Sequence, residues 1–273
     1  MKKFLIIIIT FCFILPVFSK DILSEDYLKN RKSPFKMSFL GERIVTKALK
    51  HSLNKEAPGD YKIKFKGYTL SSLKEGIFKY LEIIGENVTV ENIEFPYFNI
   101  KSVTDYNWVD YNQNPIAYKS NMEFDFVAHL SDKSINDALE KDGYKKVLNN
   151  VNQKAYPIFT LNKVNVKFKN NKMYIIMSYN FPIAPREKDK TFIVSTGLRI
   201  IRNEIETCNV LFDSLYGNLP QNKVVNLVNL VDPLDYLSNQ FKINNGEVKI
   251  NEIKIEDNIV VINGKIYIKG ENR

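Results

Sequence analysis

Few side chains in this 273-residue chain could carry acid–base or nucleophilic chemistry. The chain has two histidines, His51 and His129. A serine or cysteine nucleophile of the His-paired kind needs one of them as its base, yet no serine lies in a Gly-x-Ser-x-Gly sequence. His51 falls near the end of a predicted helix, where the helix dipole favours a cation, and His129 falls on the polar side of a predicted strand. We therefore expect structural roles for both histidines.

Metal and cofactor sites have equally little support in the sequence. The histidines and Cys208, the one cysteine beyond residue 19, form no ligand pair at helical or turn spacing, so zinc is not expected. A phosphate-binding loop is not expected either, because no Gly-x-Gly-x-x-Gly or Gly-x-x-x-x-Gly-Lys-Ser/Thr run occurs. We expect no cofactor, and we expect Cys208 to be a small core residue of a strand over residues 206–212.

Carboxylates are the remaining candidates for catalysis. Asp105 and Asp110 flank Trp108 in a polar, aromatic loop over residues 104–120, and Asp125 lies between two phenylalanines. Paired acids can hydrolyse glycosides, but they need a fixed separation that this spacing does not indicate. A hydrolase that uses the loop acids is therefore the third of our hypotheses, and we expect the protein not to be an enzyme.

The first residues predict export. Lys2 and Lys3 precede an apolar run over residues 4–18, which is shorter than the roughly 20 residues that cross a bilayer. Residues 1–19 are interpreted as a secretory signal peptide and residues 20–37 as a leader to the fold. An uncleaved N-terminal anchor is the alternative interpretation. Both place the protein outside the cytoplasm, in the periplasm or cell envelope.

The basic composition suggests two partner classes besides plain solvation. Removing Lys2 and Lys3 with the signal lowers the formal net charge from +8 to +6. A basic chain fits nucleic acid or anionic lipid headgroups, but many lysines occupy polar positions of alternating strands. We expect solvated strand faces first, anionic lipid second and no nucleic acid; the lysines concerned are Lys62, Lys64, Lys66, Lys167, Lys249 and Lys254.

A helix is predicted from Ser38. Apolar residues recur at spacings of three and four, with charged residues opposite. We expect this helix to pack on a sheet; a membrane-surface helix is the rival interpretation, weakened by the mixed charges of the polar side. The predicted buried face consists of Phe39, Leu40, Ile44, Val45, Ala48, Leu49 and Leu53.

Alternating strands fill the first half of the remaining chain. Residues 61–66 alternate between apolar residues and lysine, which indicates one buried and one wet face. Strands are predicted over residues 77–84 and 88–95 with a turn at residues 85–87, and over residues 122–130. Ser131 is a predicted N-cap of a short helix that Gly143 ends.

The second half repeats this pattern. The alternation changes phase after Leu161, which predicts a β-bulge near Asn162, and Asn170-Asn171 is a predicted turn. An antiparallel pair over residues 192–212, an apolar helix over residues 222–231 and a closing hairpin over residues 248–268 follow. Many strands and few helices predict an α+β class, with residues 38–273 as a single domain.

The apolar strand faces allow two interpretations. One is an ordinary sheet core under one or two helices. The other is a strongly curved sheet that wraps a helix and leaves an apolar groove for lipid. The candidate lining residues are Met122, Phe124, Phe126, Ile175 and Met177.

The order of these features resembles the LmeA-like phospholipid-binding family of bacterial exported proteins. The resemblance rests on the helix over residues 39–53, on residues 73–77, 81–83 and 88–93, and on the strand over residues 122–130 with its strand-to-helix step over residues 130–139. The hairpin over residues 248–268 also suits the β-rich end of the family. It implies an elongated, strongly curved antiparallel sheet wrapped around a long N-terminal helix, similar to tubular lipid-binding folds, and phospholipid binding without catalysis. The chain departs from the family in the loop 104–120 and in its Lys- and Asn-rich composition. The family supplies no motif of ligand residues to transfer.

Our leading hypothesis is therefore an exported, non-catalytic phospholipid-binding protein of the cell envelope that holds acyl chains in an apolar groove. The alternative is a structural or adhesin-like envelope protein that binds another protein through a sheet edge or the loop 104–120.

Overall fold

The computed structural model describes residues 37–69, 72, 76–90, 93–103, 109–110, 117–118, 121–155, 159–182, 190–213, 221–234 and 246–270. The predicted signal peptide and nearly all of the predicted leader lie outside the described residues. So do Asp105 and Trp108 of the aromatic loop and the Leu73–Glu75 part of the family resemblance.

The described residues form an α+β fold in which strands predominate, as the sequence predicts. The helices are α1 (Met37–Glu56), α2 (Asp132–Leu139), α3 (Asp142–Ala155) and α4 (Gln221–Val231). The strands are β1 (Asp60–Lys66), β2 (Tyr80–Val90), β3 (Ile93–Ser102), β4 (Val109–Asp110), β5 (Ala117–Tyr118), β6 (Met122–Ser131), β7 (Thr160–Lys169), β8 (Lys172–Asn180), β9 (Lys190–Ile201), β10 (Glu204–Asp213), β11 (Gly246–Glu256) and β12 (Ile259–Ile268).

Two antiparallel sheets carry most of these strands. The first has six strands in the order β1-β2-β3-β6-β12-β11, and the second has four in the order β10-β9-β8-β7. The short strands β4 and β5 pair with each other. Because β12 pairs with β6 along its whole length, the C-terminal hairpin completes the sheet that the N-terminal half begins.

Helix α1 packs against β1, the edge strand of the six-stranded sheet. Val45, Leu49 and Leu53 are buried there, and the hydroxyl of Tyr61 donates to the carbonyl of Ala57 at 2.6 Å, which ties the helix end to the strand.

The prediction that Phe39 and Ile44 belong to the buried face of α1 is wrong. Each side chain is 58% exposed. The buried line follows Val45 and Leu49, and a rotation of about 100° per residue places Phe39 and Ile44 on the two flanks of the outward face. The buried face of α1 is therefore narrower than the apolar face that the sequence predicts.

The predicted turn at residues 85–87 is also wrong, since β2 runs without interruption from Tyr80 to Val90. Gly85 pairs directly with Phe98 of β3, and a Cβ on Gly85 would lie 2.7 Å from Cζ of that ring. The glycine therefore makes room for an aromatic ring inside the sheet. Asn87 keeps a positive φ of 51° within the strand. The predicted strand 88–95 is in fact the end of β2 and the start of β3.

The short helix after β6 is confirmed. Ser131 caps α2, and its hydroxyl accepts from the amide of Ser134 at 3.0 Å. Gly143, however, does not stop a helix; it is the second residue of α3, which the sequence analysis did not predict. Tyr144, Leu148 and Val151 form its buried line at spacings of four and three.

The four-stranded sheet follows the predicted pattern of strands and turns closely. Its β7–β8 pairing shifts between Leu161 and Lys163, which confirms the bulge at Asn162. Asn170 and Asn171 have φ values of 52° and 57°, as a type I′ hairpin turn requires. The antiparallel pair β9–β10, helix α4 and the closing hairpin β11–β12 are confirmed as well.

Strand β11 joins the two sheets. Near its start, the side chain of Asn203, in the turn between β9 and β10, donates to the carbonyl of Val248 and accepts from the amide of Ile250. Just beyond its end, the amide of Asn258 donates to the carbonyl of Phe168 at 3.0 Å. The edge strand of one sheet therefore contacts the hairpin end of the other.

Candidate functional site

The six-stranded sheet has one apolar face, and part of that face is only half-buried. Side chains of directly paired residues lie on the same face of a sheet. The strand pairing therefore shows which side chains form a row across this face. Ala128 pairs with Ile262 and Ile262 with Ile253. We call the half-buried apolar residues that pack against the core in this region the apolar strip: Phe126, Ala128, Val248, Ile253 and Ile262.

On this face the strip residues are less buried than their neighbours on β3. Phe98 and Ile100 of β3 are buried, and they pair with the half-buried Ala128 and Phe126 of β6. Further along, Ile253 of β11 is also half-buried. The strip is therefore continuous with the core on one side and partly open to solvent towards the β11 edge.

Buried rows close both ends of the strip. At one end Leu130 pairs with Val260, and Val260 pairs with Ile255. At the other end Met122 pairs with Ile268. All of these side chains are less than 9% exposed. The strip is thus bounded lengthwise by well-packed core.

A glycine lies in the middle of the strip. Gly264 pairs with Phe126, and a Cβ at this position would lie 2.6 Å from Cε1 of that ring. The register of β11 on β12 shifts between Ile250 and Glu252, next to this glycine. The ring of Phe126 and the carbonyl of Lys249 fill the space beside this glycine.

The opposite face of this sheet is polar, and many of its lysines are paired with acids. Lys62 contacts Glu86 at 2.9 Å, Lys64 contacts Glu82 at 2.8 Å and Lys265 contacts Asp125 at 3.3 Å. The six lysines that the sequence assigned to wet strand faces are all exposed. Their pattern fits solvated strand faces.

Glu82 is the one acid that is buried on this polar face. Its hydrogen bond with Lys64 holds the pKa of its carboxyl below the ordinary value; burial acts in the opposite direction, and hydrogen bonds from Tyr80 and Asn99 lower the pKa further. The group is therefore ionised at neutral pH and serves the pairing of β1 with β2.

The five predicted lining residues fall into two separate sheets. Met122, Phe124 and Phe126 share the apolar face of β6, and of these three Phe126 is the half-buried one. Ile175 and Met177 lie on β8 of the four-stranded sheet, each with 0% exposure. Of the predicted residues, only Phe126 belongs to the apolar strip.

The contribution of the closing hairpin to the apolar strip is not predicted from the sequence. Val248, Ile253 and Ile262 of β11 and β12 lie in the strip. The alternation over residues 248–268 had predicted the hairpin itself, but not that β12 would pair with β6 and place these side chains beside Phe126.

The residues with catalytic potential are dispersed. The ring of His129 packs against that of Tyr97 on the polar face of the sheet, with 4.9 Å between the ring centroids and a tilt of 49° between the planes. Cys208 is a free, half-buried thiol on β10, more exposed than the expected core position. Asp110 lies in β4. Within the described parts of the chain, no three His, Cys, Asp or Glu side chains are grouped closely enough to hold a metal ion.

Among the described residues, no helix is both long and apolar enough to cross a bilayer. No family model, curated protein or solved structure matches the chain.

Proposed function

We propose that this protein is an exported, non-catalytic phospholipid-binding protein that holds acyl chains against the apolar strip. The proposal rests on the half-buried row Ala128–Ile262–Ile253, which lies between two buried rows on the apolar face of the sheet. Contiguous apolar surface that stays accessible to solvent is typical of ligand-binding grooves and interaction sites. A bound acyl chain would cover this row without any polar contact.

The energetics favour a chain-like ligand. Each buried CH₂ stabilises a complex by about 0.8 kcal/mol, so even half an acyl chain on the strip would offset several kcal/mol of lost ligand freedom.

The proposal extends to the shape of the molecule and its location. We infer a strongly curved six-stranded sheet that wraps towards α1, as in the LmeA-like family, so that the strip becomes a groove. Removal of residues 1–19 would release residues 20–273 into the periplasm or cell envelope, where phospholipid is the abundant apolar ligand. Packing of α1 on β1 is the described contact that fits this arrangement.

Extraction of the purified mature protein with organic solvent, followed by mass spectrometry, tests the proposal. We expect phospholipid at a stoichiometric ratio to protein. Recovery of no lipid from protein purified without detergent, combined with no uptake of phospholipid from vesicles, would exclude the proposed function.

A second candidate function is protein binding in the envelope, and one observation favours it. On the face of the four-stranded sheet that points away from its buried core, Leu211 is 55% exposed and Ile193 is 40% exposed. Ile193 pairs with the half-buried Ile176, and Leu211 lies on the edge strand β10. An exposed apolar group beside a sheet edge is typical of surfaces that receive a partner strand. Recovery of a specific partner by crosslinking through this edge, from protein that contains no lipid, would favour this function over the first.

A further inference from the structure

The outward face of α1 combines exposed apolar and basic side chains. Phe39 and Ile44 are each 58% exposed in the first half of the helix. Arg43 and Lys47 are exposed between them on the helix surface. The guanidinium of Arg43 lies 5.5 Å from the centroid of the Phe39 ring, so the cation and the aromatic ring form one surface.

The acidic residue of this helix segment points away from that surface. Glu42 is half-buried, and its carboxylate accepts from the backbone amide of Gly67 at 3.1 Å. The mixed charge that the sequence shows on the polar side of α1 is thus separated in the fold. Outward, Lys50 and Lys55 extend the basic row, and Glu56 at the last position is the exposed acid of α1.

From this arrangement we propose that the outward face of α1 docks on an anionic phospholipid bilayer. Phe39 and Ile44 enter the interfacial region, while Arg43, Lys47 and Lys50 contact lipid phosphates. A basic face with exposed aromatic and aliphatic residues is the combination that holds helices in the plane of a membrane surface. Each cation near an anionic surface strengthens binding several-fold, and salt weakens that contribution. A protein partner is less well matched, because the basic centre of the face has no apolar core to bury.

This inference does not depend on the acyl-chain site, because the outward face of α1 points away from the sheet that carries the apolar strip. Docking would hold the protein at the membrane whether or not a lipid occupies the strip. It would also place a lipid-binding protein next to its source of ligand.

Flotation of the mature protein with vesicles tests the inference. Wild-type protein is expected to float with phosphatidylglycerol-containing vesicles and not with pure phosphatidylcholine vesicles, and high salt is expected to release it. The double variants Phe39→Ser/Ile44→Ser and Arg43→Gln/Lys47→Gln are expected to bind at least tenfold more weakly.

The matched control is Lys249→Gln/Lys254→Gln, which removes two exposed charges from β11 and is expected to change the affinity less than twofold. No flotation of the wild type, equal flotation of the α1 variants, or an equal loss in the control would each overturn the docking surface. The lipid content of the same purified proteins is measured in parallel. Unchanged lipid in the α1 variants separates failure of docking from failure of the acyl-chain site.

Discussion

At the scale of single residues, asparagine side chains complete the edge strands of this protein. The carboxamide of Asn152 accepts from the amide of Leu161 at 2.7 Å and donates to its carbonyl at 2.9 Å. Asn136 makes the same two contacts with Val166. Both bonded residues lie on β7, an edge strand of the four-stranded sheet. Unpaired edge strands promote aggregation, so these amides protect the sheet as well as dock α2 and α3 on it.

Replacement of Asn152 by alanine is expected to lower the free energy of unfolding by about 1–3 kcal/mol, because the amide and carbonyl of Leu161 lose their partner. Urea denaturation measures the change. Asn150→Ala on the exposed side of the same helix is the control, and it should change stability by no more than about 0.5 kcal/mol. Equal effects of the two substitutions would show that the carboxamide contacts do not stabilise the edge.

Glu82 gives the protein an acid-sensitive contact. The pKa of its carboxyl is lowered in the folded state, chiefly by the hydrogen bond from Lys64. Its stabilising contribution is therefore complete above the unfolded pKa of about 4.3 and is lost as the pH falls through the lower folded value. Glu82→Gln is expected to cost about 1–2 kcal/mol at pH 7.

The difference between wild type and Glu82→Gln should shrink when unfolding is measured below about pH 4.3. Glu86 lies on the same strand as Glu82, and Glu86→Gln removes its exposed ion pair with Lys62 of β1. This substitution should change stability by less than about 1 kcal/mol. A pH-independent difference for Glu82→Gln would contradict the assigned cause.

At the scale of elements, glycine and aromatic residues form pairs within the six-stranded sheet. Gly85 accommodates Phe98, and Gly264 accommodates Phe126. Gly85 lies within the continuous strand β2, although the composition of its segment is turn-like. Its backbone is extended, and the ring of its partner fills the space that a side chain would occupy.

Gly85→Ala is expected to destabilise the fold by about 1–3 kcal/mol, because the new methyl group overlaps the ring of Phe98 and approaches Cγ2 of Val88 at 2.8 Å. Thermal and urea unfolding measure the loss. In Gly85→Ala/Phe98→Leu the smaller partner should relieve the overlap, so that the double variant loses less than the sum of the single losses. Strict additivity would indicate that the ring is not the cause.

The elements that the sequence predicts best are those whose pattern is local. The bulge at Asn162 appears as a change of alternation phase, and the cap Ser131 precedes its helix directly. Helix α3 is not predicted from the sequence because Gly143 resembles a helix terminator, although the spacing of Tyr144, Leu148 and Val151 indicates a helix. Glycine near the first turn is tolerated there, since its amide needs no intrahelical partner.

At the scale of the whole molecule, the arrangement of the strip depends on pairing between distant segments. Phe126 could be proposed from the sequence because β6 alternates clearly. Its neighbours Ile262 and Ile253 could not, because their position follows from the pairing of β12 with β6 across more than a hundred residues. Ile175 and Met177 have the same local pattern as Phe126 but belong to the closed core of the other sheet.

Two neighbouring residues on β12 allow a direct test of whether phospholipid acyl chains occupy the apolar strip. Ile262 lies in the strip, whereas Val261 is equally half-buried on the opposite face, where it pairs with His129 and Lys254. An aspartate at 262 would place a charge against the acyl chain, while an aspartate at 261 would meet basic and polar neighbours.

The decisive measurement is the molar ratio of phospholipid to protein, by mass spectrometry of extracts, in wild type, Ile262→Asp and Val261→Asp. Circular dichroism first establishes that all three are folded. Acyl-chain binding at the apolar strip predicts wild-type lipid content in Val261→Asp and a content about tenfold lower in Ile262→Asp. Equal lipid content in the two folded variants, or equal loss from both, would contradict binding at the strip.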